Sequence, residues 1–190
     1  MLPLPYLSHW GPILGLAQQS QTPLLSSESS QSGLPSIDIT ALSARSGISV
    51  LECWQLASPP TRASGVDVLR MGDIANASYY IFPPRFDSGR RPGPARQYVW
   101  VISGVVHLSL PNATDEATIH GGRYGLTYVE DTADVSVWGH RATFPGYDET
   151  VLLMIPVRDG INPPHTVLHD GPCKVEMPVD SGGEWMPFQP

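Results

Sequence analysis

Lysine is almost missing from this chain: Lys174 is the single one in 190 residues, and the formal net charge is -7. So little positive charge leaves no extended basic surface to neutralise a phosphate backbone, which argues against nucleic acid as a partner. Long apolar runs are missing too. No stretch of about 18 apolar residues occurs, so no helix of this sequence is long enough to cross a bilayer, and no membrane partner is expected. There is no phosphate loop, nucleotide glycine fingerprint, nucleophile elbow or paired-cysteine metal motif. His107, His120, His165 and His169 are scattered, and Pro163, Pro164 and Gly171 around the last two argue against a metal-binding helix face there. Charged residues make up 15% of the chain against 41% hydrophobic, a balance suited to a folded protein. The length fits one domain.

Cysteine is scarce, with Cys53 in an apolar, strand-like run and Cys173 in a late turn. An oxidising compartment would pair them into one disulfide closing a very long loop, and two buried thiols are the alternative. Asn76-Ala77-Ser78 and Asn112-Ala113-Thr114 match the acceptor pattern for N-linked glycosylation. Together these features favour the secretory pathway or the extracellular space, with the cytoplasm as the alternative. The first Lys or Arg is Arg45, so the opening segment lacks the charged region of a signal peptide, and any leader is either removed or atypical.

Residues 1–34 read as an N-terminal arm and linker, because 17–33 are rich in Ser and Gln and cannot bury enough surface to offset their ordering entropy. Asp38 followed by ITALSAR and Gly47 reads as a short helix, with a carboxylate cap at its start and glycine past its end. From Ile48 short β-rich runs follow one another: ISVLECWQLA, VDVLRMG, ASYYIFP, QYVWVIS, VVHLSL, GLTYVE, VSVWGH and ETVLLMIPV. Gly, Pro, Asn and Asp punctuate them, as the tight turns of a small all-β sandwich or barrel require. Residues 35–175 are the expected domain and 176–190 an extended tail.

The stretch from Pro83 to His140 resembles the two signature motifs of the cupins, small jelly-roll β-barrels that commonly hold a metal between inward-facing strands. In the first motif a His-rich loop precedes a Glu or Gln, six residues and a hairpin glycine, a spacing kept by Gln97-YVWVIS-Gly104. In the second, a glycine turn leads to a single inward His, here from Gly121-Gly122 to His140. The wording is closest to small single-domain cupins of filamentous fungi. The resemblance implies a jelly-roll barrel and self-association into a homodimer through outer sheets and N-terminal arms.

At the position of the family's first-motif histidines this chain reads Arg90-Arg91-Pro92-Gly93-Pro94-Ala95-Arg96. A guanidinium has no lone pair to donate and repels cations, so Arg91 cannot replace an imidazole ligand, and Gln97 with His140 falls short of a usual donor set. No metal or other cofactor is therefore expected. The reading that follows is a metal-independent isomerase, cyclase or lyase acting on a natural-product-like small molecule: Arg91 and Gln97 polarise an oxygen and His140 shuttles a proton. Tyr80, Phe82, Trp100, Tyr128 and Trp138 are expected to wall the pocket, with ordinary core packing as their other use, and Trp138 and His140 to share a strand face. The arginine cluster Arg85, Arg90, Arg91 and Arg96 has a plainer use as a solvated loop pairing with Asp87 and other acids. Two further readings stay open: a metal-dependent dioxygenase or isomerase, and a secreted binding module without turnover.

Overall fold

Alternation of apolar and polar side chains runs through much of the chain after Ile37, and among the described residues it folds as thirteen short strands with one 3-10 turn at Arg158–Gly160. The computed structural model describes residues 36–57, 60–111 and 115–174; the expected arm, the expected tail and Asn112 lie outside them. The strands are β1 (Asp38–Arg45), β2 (Ile48–Leu56), β3 (Thr61–Ala63), β4 (Val66–Val68), β5 (Ser78–Phe82), β6 (Phe86–Arg91) and β7 (Gln97–Ser103). They continue as β8 (Val105–Ser109), β9 (Glu116–His120), β10 (Leu126–Val129), β11 (His140–Phe144), β12 (Thr150–Pro156) and β13 (His165–Asp170).

The expected helix at Asp38 is instead β1, paired antiparallel with β2 over its whole length from Asp38↔Gln55 to Arg45↔Ile48. Ser46 and Gly47 both take positive φ (51° and 81°), the two-residue hairpin geometry that matches strand twist. Gly47 is thus a hairpin residue, not a helix stop. VSVWGH is a second difference: only His140 of that run is in a strand, and Val137 and Trp138 lie in the preceding turn.

Seven strands form one sheet in the order β13-β2-β1-β10-β7-β12-β5, and four form another in the order β6-β11-β8-β9. These ladders do not close into a barrel among the described residues. All neighbours in the large sheet are antiparallel except β1 and β10, which run parallel through only Thr40↔Thr127, Ala41↔Tyr128 and Leu42↔Val129. The two sheets bury one core between them: Leu42, Leu51, Val99, Val101, Val129 and Leu152 meet Val106, Leu108, Ala117, Ile119 and Phe144. A second cluster lies on the opposite face of the large sheet, around Ile39, Trp54, Tyr98, Tyr128 and Ile155. Tyr98 and Val99, adjacent in β7, therefore serve different cores, as the period of two demands.

Cys53 and Cys173 are joined by a disulfide, with Cα atoms 4.6 Å apart and a sequence separation of 120. Cys53 is buried in β2, and the Cys173 backbone N–H donates to Thr40 Oγ1 at 3.0 Å.

Candidate functional site

Alternation carried past the end of β10 builds the centre of the site. Val129 faces the core between the sheets, so two residues on Asp131 faces the same way, and its side chain is fully buried. One carboxylate oxygen, Oδ2, accepts from Ser49 Oγ at 2.7 Å and lies 2.8 Å from His140 Nδ1. Ser49 also shares a 2.7 Å hydrogen bond with Ser136, whose Oγ accepts from the Gly139 N–H at 3.0 Å. The other oxygen, Oδ1, is a buried polar atom without a partner among the described residues. An ionised carboxylate only accepts, so the hydrogen of a neutral His140 sits on Nδ1 and the lone pair on Nε2. Nε2 makes no hydrogen bond among the described residues.

Arg91 stands beside His140 because of a β-bulge. The register Thr143↔Asp87, then Arg141↔Arg90 and His140↔Arg91, shifts by one residue around Ser88 and Gly89, where Gly89 has φ 68°. Ser88 holds the bulge by donating to the Ala142 carbonyl at 2.9 Å. Without the extra residue Arg90 would face inward; with it, Arg91 shares the face of His140 at the exposed edge strand β6. Gly139 permits the close approach: its φ is 61°, and a β-carbon there would fall within the backbone of Arg91 and Pro92.

Gln97 is buried at the inward start of β7, with its amide nitrogen 3.7 Å from Met154 Sδ. Among the described residues no three His, Cys, Asp or Glu side chains converge as a metal-ligand group.

The five aromatic residues do not wall one pocket. Tyr80 and Phe82 face the core between the sheets, where Phe82 stacks on Phe144 with ring centroids 4.1 Å apart. Trp100 and Tyr128 project from the opposite face, Tyr128 in the second core and Trp100 donating to the Gly122 carbonyl at 2.9 Å. Trp138 is 57% exposed in its turn and shares no strand face with His140. Alternation within single strands could not show this, because the grouping depends on which sheet faces each side. The arginine cluster also divides: Arg96 pairs with Asp134 at 3.1 Å, Arg85 lies over the Tyr147 ring at 4.7 Å, and Asp87 pairs with Arg141 from outside the cluster.

Asp131, Ser49 and Ser136 escaped the sequence reading. Asp131 had a usable signal, a carboxylate two residues beyond an inward valine, whereas the serines had none before the hairpin at Ser46-Gly47 was recognised. Asn76 is exposed in the loop before β5, as a glycan acceptor needs to be.

Two clefts among the described residues bear on the site. A shallow one of about 360 Å³ is lined by Gly93, Ala95, Arg96, Thr132 and Asp134, next in sequence to Asp131. The other, of about 220 Å³, shares Val157 with the first and lies over the second core of the large sheet. Neither includes His140, Arg91 or Gln97. Comparison with protein-family models, curated proteins and solved structures finds no match.

Proposed function

We propose that this chain is a secreted, cupin-type domain that moves a proton on a small, largely apolar substrate carrying a carbonyl oxygen, the chemistry of an isomerase, cyclase or lyase. The observation that carries the reading is the buried Asp131 carboxylate against His140 Nδ1, with Nε2 unpartnered among the described residues. In an isomerisation, Nε2 takes a proton from the carbon next to the carbonyl, and the electron pair moves onto the oxygen. Arg91, on the same face, stabilises that enolate, and the imidazolium returns its proton to a different carbon. No atom is gained or lost, and no redox partner is required.

The same residues support a site without metal, since a permanent positive charge stands on the neighbouring strand, directly opposite His140. The disulfide and the exposed Asn76 support passage through an oxidising, glycosylating compartment. The cupin assignment rests on the motif spacing around Gln97 and His140 and on an all-β chain whose sheets enclose a common core.

A second reading, a binding module without turnover, is favoured by the position of both clefts away from His140. One experiment separates them. Solvent deuterium incorporation into a panel of small apolar 1,3-dicarbonyls and enones is followed by proton NMR with the full chain. The enzymatic reading expects exchange that His140→Gln reduces by at least about 100-fold. Exchange equal in the wild type and His140→Gln overturns it and leaves the binding module.

We assign the expected homodimer to the outer face of β5 and β7, a proposal supported by the joint exposure there of Tyr79, Ile81, Trp100 and Ile102. Ile81→Asp should halve the mass measured by light scattering. An unchanged mass, or a monomeric wild type, removes this assignment.

A further inference from the structure

The 220 Å³ cleft lies outside everything assigned to His140. Its floor is the second core on the outer face of the large sheet, with Tyr98 and Leu56 at the base and Leu69, Met71 and Ile161 as walls. Two connections cover this face, one leading from β4 towards β5 and one from β12 to β13. No residue of the Asp131–His140 site lines it.

Tyr98 is only 1% exposed, and its ring is fixed edge-on against Tyr128 with centroids 5.1 Å apart. Its hydroxyl makes no hydrogen bond among the described residues, yet it is not one of their fully buried unpartnered atoms. Tyr98 is among the residues that line the cleft. Burial raises the pKa of this phenol, so it stays protonated as both donor and acceptor.

The other uncharged polar side chain of the lining is already engaged. Asn162 donates to Glu130 Oε1 at 2.6 Å and accepts from the Tyr128 hydroxyl at 3.1 Å. The charged lining residues are two arginines, Arg70 and Arg158, and two aspartates, Asp73 and Asp159, so their charges cancel. Such a lining offers an ion no net charge, whereas a neutral molecule meets an apolar wall and, at its floor, one hydroxyl without a partner among the described residues.

We infer that this cleft is a second binding site, taking a neutral, mostly hydrocarbon ligand whose single hydroxyl or carbonyl oxygen bonds to Tyr98. The volume lies below the usual range for drug-sized ligands and suits roughly ten non-hydrogen atoms. The inference is independent of proton transfer at His140, and the two stand or fall by different measurements.

The test uses a matched pair of probes, 4-ethylphenol and ethylbenzene, titrated into the full chain and followed by amide chemical shifts around residues 69–73 and 157–164. The wild type should bind both, with dissociation constants between about 0.1 and 1 mM. Tyr98→Phe should weaken 4-ethylphenol about tenfold, the worth of one buried hydrogen bond, and leave ethylbenzene within about twofold. Met71→Trp, which fills the cleft from its wall, should abolish both. No binding of 4-ethylphenol to the wild type overturns the inference. So does equal binding of it by the wild type and Tyr98→Phe.

Discussion

One oxygen of Asp131 serves both Ser49 and His140 while the other faces no donor among the described residues. Such a carboxylate is costly to bury, and a partial partner set is the pattern expected where orientation of an imidazole matters more than stability. Asp131→Ala leaves the Ser49 hydroxyl and the His140 Nδ1–H without their acceptor, and should lower stability by about 2–4 kcal/mol in urea titrations. Asp131→Asn keeps the volume but can present an N–H to Nδ1, which moves the imidazole hydrogen to Nε2. In the deuterium-exchange assay this variant should therefore lose most of the activity of the wild type while remaining folded.

At the surface, the hydrogen bond from Arg141, helped by the Gly89 N–H, holds the Asp87 carboxyl down to about 2 from its ordinary 3.8. Asp170 is lowered by Arg45, and Asp134 chiefly by the Thr132 hydroxyl. A carboxyl whose folded value is depressed adds stability above its unfolded value and loses it as pH falls through the folded value. The thermal midpoint should thus decline between about pH 4 and pH 2, and Asp87→Asn should flatten part of that decline. A pH profile identical in the two proteins would show that this exposed pair contributes nothing.

At the scale of elements, legibility followed how locally each feature is determined. The runs at β2, β5, β7, β8, β10 and β12 carry enough β-branched and aromatic residues to be read directly. β1 carries the signals of a helix, because Asp38 before ITALSAR and Gly47 after it satisfy helix cap preferences, and pairing with β2 decides otherwise. β6, FDSGRR, has hardly any apolar content because it is an edge strand, and β9 and β13 lie at edges as well. Arg91 and His140 were singled out by motif spacing, but the bulge at Ser88-Gly89 that makes them neighbours leaves no local pattern beyond a glycine. Two glycines there separate the effects. Gly89→Ala has open space and pays mainly for its positive φ, about 1 kcal/mol. Gly139→Ala adds a collision with the Arg91–Pro92 backbone and should cost distinctly more, about 2–4 kcal/mol by thermal or urea unfolding, while displacing His140.

For the whole molecule, the disulfide closes a loop of 120 residues, so its removal frees a large part of the unfolded chain. Chain-entropy reasoning puts the loss in a Cys53→Ser, Cys173→Ser double variant at up to about 5 kcal/mol, read from urea midpoints under oxidising conditions. The large sheet itself is assembled from two antiparallel groups, β13-β2-β1 and β10-β7-β12-β5, whose strands are joined among the described residues by the short parallel ladder of β1 and β10, extended by the Glu130 N–H to the Leu42 carbonyl. Both ends of the disulfide belong to the first group and its outgoing chain, so the bond does not cross that ladder. Partial opening should accordingly begin as a zipper parting between Thr40–Leu42 and Thr127–Val129, with amide protons there exchanging in step with one another and ahead of those inside either group.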